Sequence, residues 1–500
     1  MEIQMIGHAS IFVKTQDCKI LMDPVLWDSH AEGIEDICPK REVIHDKIPE
    51  FDLLIISHRH PDHFDIRSLA SLPKNVDVFI PNDKVLQECL RKLGYSQIYT
   101  LGDFREVKIG STNLLTTRSE YRVPEYGVLF ADPSGVFWNQ VDSDVSQDTV
   151  SFVKSRYPQI DFLLAPWQPM METQYQDNRS ISFPYSEYNA TLAPLSLIKP
   201  KAISPGANGF QFINESSWLN QVVFPVTLEQ FCEDVKMVCP EVGENVFPLE
   251  PGDILAFKYG EFSYTKGGCQ FVKKVEEGRE NLDFSPVNLA TNLIDHNPDN
   301  YEIDYMSKTI EEEVRWNLPN FFMEKRDSLF MEHCHWNVIY QLEIVFPNSN
   351  QKWFFDFSED NIQAQPGRNP LANLFSIITA SSLYGLLKGI KGWDYAHIAG
   401  NHRQFQKVYI ANLHGISRPA ESQIKNPINL KFSYNEVFEK FQYQEVERWR
   451  QANENSKVSN ESKTFMMKIG NTLVRLAKNN KNESFEEIDS TENLPLVTVD

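Results

Sequence analysis

The densest run of chemistry-bearing side chains in this sequence is Ser57-His58-Arg59-His60-Pro61-Asp62-His63-Phe64-Asp65, directly after the apolar run FDLLIIS at residues 51–57. Three imidazoles and a carboxylate fall within six residues. On a loop, His58 and His60 project to one side, and Asp62 with His63 turn toward a second point a few ångströms away. Nitrogen and oxygen donors so placed hold two divalent metal ions near each other. Unrelated surface histidines are the alternative, but the chain has only 12 His in 500 residues and three of them cluster here. Asp65 reads both as an acceptor for the N–H of a ligand imidazole and as the cap of a helix that begins near Ile66.

A loop can hold cations only if rigid elements deliver it. The continuous apolar run at 51–57 reads as a strand buried on both faces. Residues 3–6, 10–13 and 19–22 form a meander before it. Segments 77–80, 98–101, 112–116, 127–131, 136–140 and 160–165 read as further strands. Residues 82–93 and 148–157 carry helical periodicity with Asn or Asp caps. Strands interleaved with helices predict a layered α/β domain over residues 1–255. A second, α+β domain is expected over 256–450. It comprises a helix at 303–322, a hairpin of 339–346 and 353–357, and an apolar helix at 373–387 that ends before Gly389. Residues 451–500 read as linker, a short amphipathic helix with Phe465, Ile469, Leu473 and Leu476 at three-to-four spacing, and an acidic mobile tail.

Composition narrows the function classes. At 41% hydrophobic the chain can bury substantial cores. Its formal charge of −21 makes nucleic acid and membrane surfaces poor partners. No run approaches the ~18–20 apolar residues that span a bilayer, and Met1-Glu2-Ile3-Gln4 lacks the pattern of a secretory signal. The seven cysteines are scattered and never spaced as CxxC, which suggests reduced thiols in the cytoplasm. It also argues against a Rieske-type cluster within this chain.

His58, His60, Asp62 and His63 match in full the HxHxDH motif of the metallo-β-lactamase superfamily, which this chain resembles. The resemblance implies an αββα sandwich over about the first 210 to 260 residues, with a dinuclear site at one edge of its two sheets. It implies a bridging role for Asp142 in Val141-Asp142-Ser143-Asp144. Met22-Asp23-Pro24 resembles the first acidic position of the pattern, which makes Asp23 a supporting candidate. Gly7-His8-Ala9-Ser10 resembles the opening strand-turn of the lactonase and hydroxylase branches.

Two departures matter. Superfamily hydrolases supply another His between the motif and the bridging Asp, yet no His lies between His63 and His296. Glu120, in Arg118-Ser119-Glu120-Tyr121-Arg122, is the candidate ligand in its place, the alternative being a solvated carboxylate beside two arginines. The last superfamily His is also missing. Ser204-Pro205-Gly206-Ala207-Asn208-Gly209 falls at its position, with Asn208 as the candidate to face the site.

A carboxylate in place of an imidazole makes the site richer in oxygen, from which iron or manganese gains more than zinc. The same exchange appears in the di-iron β-hydroxylases that act on carrier-tethered amino acids. The motif order also resembles the catalytic region of CMP-N-acetylneuraminate hydroxylase, here without an N-terminal Rieske domain. The expectation is a dinuclear oxygenase with iron favoured, Asp62 and Asp142 catalytic, an external electron donor, and a small-molecule or carrier-tethered substrate. The alternative is a zinc or manganese hydrolase of a lactone, ester or phosphodiester, in which Asp62 orients the nucleophile; a binding scaffold with a decayed site is the third reading. Elsewhere, His333 and His335 read as a surface pair leading into a strand, Gly392-Trp393-Asp394 and Asn401-His402-Arg403 as loop. Trp167, Tyr175, Phe183, Tyr185 and Tyr188 read as core or a substrate-facing wall.

Overall fold

The computed structural model describes residues 1–121, 123–279, 282, 284–288, 292–420, 422–432, 434–453, 464–469, 472–478 and 485–487. All but Asn453 of the expected linker at 453–460 and most of the acidic tail lie outside the described residues.

Period-two burial builds the N-terminal layers. Leu53 and Ile55 point inward with Ile3, Ile11, Ile20 and Phe79, against Val107, Leu114, Val128, Phe130 and Phe162 of a second sheet. Leu54 and Ile56 point outward with Phe12 and Leu21, onto Ile66, Leu69, Leu86 and Leu90 of two helices. On the far side, Leu129, Trp138 and Leu163 meet Val150, Val153, Leu195 and Ile198 of two more helices. A strand covered on both faces must be apolar throughout, which accounts for FDLLIIS. Each large side chain so buried contributes roughly 1.5–3 kcal/mol. The layers are helix, sheet, sheet, helix, as expected.

The first sheet runs, edge to edge among the described residues, Glu261–Thr265, Ile254–Lys258, Glu2–Gly7, Ser10–Lys14, Lys19–Met22, Leu53–Ile55, Asp77–Pro81 and Gln97–Leu101. It is antiparallel up to Lys19–Met22 and parallel beyond. Ile254–Lys258 and its hairpin partner extend this sheet past the expected boundary at residue 255. The second sheet runs Ala202–Pro205, Phe162–Ala165, Gly135–Asn139, Tyr126–Asp132, Thr112–Arg118, Glu106–Ile109, Thr472–Lys478 and Thr464–Ile469.

Those last two strands correct the amphipathic helix expected around Phe465–Leu476. Leu473 and Val474 pair in parallel with Val107 and Lys108. The strand Glu106–Ile109 offers an edge of backbone donors and acceptors, and pairing them outweighs a helical spacing of apolar residues.

The C-terminal unit has a five-stranded sheet of Gln365–Pro366, Ser349–Asp356, Ile339–Phe346, Leu374–Thr379 and His402–Gln406. Met306, Ile310, Leu318 and Phe322 of the helical segments Ile303–Glu312 and Leu318–Glu324 pack on Tyr340, Leu342 and Phe355. The expected helix at 373–387 is half strand. Leu374–Thr379 pairs in parallel with Ile339–Phe346, and only Ala380–Lys388 is helical, ending at the left-handed Gly389. The chain then returns to the first domain, where helix Tyr434–Asn453 lies on helices Ile66–Ser71 and Lys84–Lys92. Among the described residues no helix is long and apolar enough to cross a membrane.

Candidate metal centre

The loop after Leu53–Ile55 is held from three sides. Tyr126 N–H, at the start of a strand of the second sheet, donates to Ser57 O at 3.4 Å. His63 and Phe64 N–H both donate back to His60 O, winding the loop into a turn. Asp65 accepts from Ser68 N–H at 2.9 Å and also from Ser68 Oγ, so it caps helix Ile66–Ser71. Among the described residues no hydrogen bond joins it to a histidine of the centre, so its structural reading prevails over the supporting one.

Asp23 is the fixed point beneath the loop. It follows the strand Lys19–Met22 in a left-handed conformation (φ 44°) and is fully buried. Its Oδ1 accepts from Ser57 N–H at 2.7 Å, and its Oδ2 from Ser57 Oγ at 2.6 Å and His63 Nδ1 at 3.1 Å. The Ser57 hydroxyl has one proton, and it goes to Asp23. Toward His58 Nδ1, 3.0 Å away, Ser57 Oγ therefore accepts. Both histidines thus carry a proton on Nδ1 and turn Nε2 to the same space. This is the ring orientation that a metal ligand needs.

Around that space His58 Nε2 stands 3.8 Å and His63 Nε2 3.6 Å from Asp142 Oδ2, and His63 Nε2 is 3.5 Å from Asp62 Oδ2. Two ligands bound at about 2.1 Å to one ion lie roughly 3–3.5 Å apart, so this spacing fits shared cations. His58 Nε2 and Asp142 Oδ1 are buried without a hydrogen-bond partner. Burial keeps the His58 imidazole well below its ordinary pKa, hence neutral and free to ligate. Burial alone would lower His63 as well, but Asp142, Asp62 and Asp23 carry it up to about 10. Surroundings that hold a proton that firmly equally favour a metal cation. The donor set therefore fits metal ions.

His60 lines the adjoining cleft, its ring 4.5 Å from that of His58. His8 belongs to the centre, which its place in the sequence did not reveal. Gly209 N–H donates to its Nδ1 at 3.1 Å, so its proton sits on Nε2 and points at Asp62 Oδ2, 3.0 Å away. His8 therefore acts as a donor that holds Asp62. Burial would raise the Asp62 carboxyl, yet His63 and the His8 hydrogen bond keep it well below the usual carboxylate range. A side chain on Gly209 would meet the His8 backbone at 3.1 Å. Asn208, left-handed at φ 51°, lines the cleft, with its amide on Met170 Sδ.

Glu120 stands at the cleft rim, exposed, 3.4 Å from Arg118. The structure does not bring it to the centre. Glu125, five residues on, is 7% exposed and lines the cleft with Oε1 unpartnered. Burial first, then the Asp142 charge, pushes it up to about 7. It stands immediately before Tyr126, the residue hydrogen-bonded to Ser57, a contact that the sequence did not signal. Glu35, Glu172 and Asp394 also line the cleft and carried no local signal. Asp394 sits in the helix Trp393–His397, where loop was expected. Of the five aromatics proposed as a wall, none lines this cleft; Trp167 and Tyr188 are core. His333 and His335 lie in a short helix, Met331–His335, with His333 buried against Lys425 O at 2.7 Å.

Residues 2–131 match the model of the beta-lactamase superfamily domain. A Mycobacterium tuberculosis protein described as a Rieske 2Fe-2S iron-sulfur protein is 30% identical over 106 residues, 21% of this chain and 20% of that protein. The 4-amino-L-phenylalanyl-(CmlP peptidyl carrier protein) 3-hydroxylase of Streptomyces venezuelae is 27% identical over 122 residues, 23% of this chain and 22% of that protein. The chain thus spans about a fifth of the length of these curated relatives. Among solved structures, CmlA, a diiron beta-hydroxylase from S. venezuelae, aligns at TM-score 0.38 and 16% identity over 53% of this chain and 54% of that one. The isothiocyanate hydrolase from Delia radicum gut bacteria aligns at TM-score 0.38 and 16% identity over 52% and 100%. Over residues 2–131, within an αββα sandwich, the chain carries a domain of the beta-lactamase superfamily.

Proposed function

We propose that this chain is a dinuclear iron oxygenase that hydroxylates or otherwise oxidises a small polar or carrier-tethered substrate in the cytoplasm, with electrons from a separate donor. One observation carries the reading: Glu125, a buried carboxylate with one oxygen unpartnered, lines the cleft within reach of the Asp142 and His63 charges, and among the described residues His60 is the one imidazole that lines it. His58, His60 and Glu125 would hold one ion and Asp62 and His63 the other, with Asp142 between them. An oxygen-rich set with open positions suits iron, which when bound supplies dioxygen activation.

The chain's own residues do the rest. Asp23 and Ser57 fix the rings of His63 and His58, and His8 fixes Asp62. His58 and His63 are fully buried, and His60, Asp62 and Asp142 line the cleft. A second reading draws on Asp62, kept ionised by His63 and His8 at the cleft. There it would orient a hydroxide in a zinc or manganese hydrolase.

Elemental analysis of protein produced with iron and zinc both present tests the proposal. About two irons per chain, with oxygen uptake by the chemically reduced protein, are expected. Stoichiometric zinc with turnover of a lactone or ester would overturn it in favour of the hydrolase.

A further inference from the structure

The cleft over the metal centre has a volume of about 890 Å³ and is lined by nine Asp and Glu side chains and, among the described residues, by no Lys or Arg. Two divalent ions would neutralise about four of these charges, so a negative field remains. Three of the carboxylates come from three separate parts of the chain. Glu35 lies on the strand Glu35–Ile37, Glu172 follows the strand Phe162–Ala165, and Asp394 comes from the C-terminal unit. Glu35 meets His30 Nε2 at 3.4 Å. Among the described residues no hydrogen bond or ion pair engages the side chains of Glu172 or Asp394. Burial, and then the charges of Glu35 and Asp62, push Glu172 up to about 8, and burial with the charges of Glu172 and Glu35 pushes Asp394 up to about 7. The fold gathers these carboxyls without supplying a counter-charge, and a cation among them favours their ionised form.

A second observation points to a ligand. Gln140, 3% exposed, lines the same cleft, and its Nε2 has no acceptor. A buried N–H is rarely left unpaired, so a ligand oxygen is expected there. Met170, Phe210 and Ile398 supply apolar wall between the polar groups.

We propose that the cleft takes a small organic cation, an amine or guanidinium gripped by Glu35, Glu172 and Asp394, whose uncharged body carries an acceptor oxygen toward Gln140. The inference rests on the reading of the site as a metal centre and assigns its substrate class. It excludes phosphodiesters and other polyanions, which would enter against the field. It also gives the C-terminal unit a role, since Asp394 is its contribution to substrate choice.

Phenethylammonium, 2-phenylethanol and phenylacetate, matched in shape and differing in charge, test this by calorimetric titration of the full chain, loaded with zinc and after chelation. Metal content is measured in every sample. The cation is expected to bind at least about ten-fold more tightly than the alcohol, with phenylacetate weakest. Glu172→Gln and Asp394→Asn, both nearly isosteric, are each expected to weaken the cation about five-fold or more with metal content unchanged. Equal affinity for the three probes, no binding of any, or indifference of both variants overturns the proposal. Loss of a metal ion from Glu172→Gln also overturns it, since the trio would then be an inorganic site. A protein that takes up no metal but still selects the amine refutes the metal reading and supports this one.

Discussion

Replacing Asp23 by Asn alters one atom beneath the metal centre and leaves its shape intact. Asp23 accepts three hydrogen bonds, from Ser57 N, Ser57 Oγ and His63 Nδ1. In the Asn variant the amide oxygen keeps Ser57 N–H, but the amide NH₂ faces the other two donors. His63 then relieves the clash by giving up its Nδ1 proton and keeping the one on Nε2, the atom 3.5 Å from Asp62 and 3.6 Å from Asp142, and ceases to be a ligand. Loss of such a supporting carboxylate costs ~10–100-fold in metal affinity, or ~1.4–2.7 kcal/mol. The cation-free fold loses two charge-assisted hydrogen bonds at a fully buried site, on the order of 1–3 kcal/mol after the neutral replacements form. Chelator competition reads the affinity, urea unfolding reads the stability, and ¹⁵N shifts of the His63 ring read the tautomer. Affinity within about two-fold of the parent, with the tautomer unmoved, would refute the account of how His63 is oriented.

Glu125→Gln and Glu120→Gln separate two carboxylates five residues apart. The first is expected to lose at least about ten-fold in metal affinity and the second to leave metal content unchanged; the reverse pattern would return Glu120 to the centre. A different part of the structure carries a pH dependence. Asp177 Oδ1 faces His397 Nε2 at 3.2 Å and accepts from Gln404 Nε2 at 2.7 Å, joining the first domain to the C-terminal unit. Although burial would raise its carboxyl, the hydrogen bond and charge of His397 hold it down to about 2. A carboxyl depressed from an unfolded value of about 3.9 adds stability that is fully present above pH ~4 and lost as pH falls toward 2. Discounted for its partial exposure, the contribution is ~1–2 kcal/mol. Thermal unfolding of Asp177→Asn between pH 2 and pH 6 is expected to show a shallower pH slope than the parent; parallel curves would remove the pair from the account.

Much of the N-terminal architecture was legible locally. Strands Leu53–Ile55 and Asp77–Pro81 announce themselves because a strand covered on both faces has no room for polar residues. Segments with two plausible partners were not legible. Residues 373–387 form an apolar run of helix length, and Leu374–Thr379 within it is a strand because Ile339–Phe346 stands beside it. Thr472–Lys478 is a strand because the sheet edge at Glu106–Ile109 is there to be paired.

The same division runs through the site. By itself the amino-acid order determined that His58, His60, Asp62 and His63 sit on one loop at a strand end, since short spacing leaves those donors nowhere else to go. Only the tertiary structure decided that His8 holds Asp62, that Glu125 is buried at the cleft while Glu120 stays exposed at its rim, and that Asp394 lines the cleft from the other unit. Those residues meet through sheet pairing and packing across tens to hundreds of positions. Such contacts leave no period or spacing in the chain, because a side chain's distant neighbours are set by where the backbone goes and not by the residues next to it.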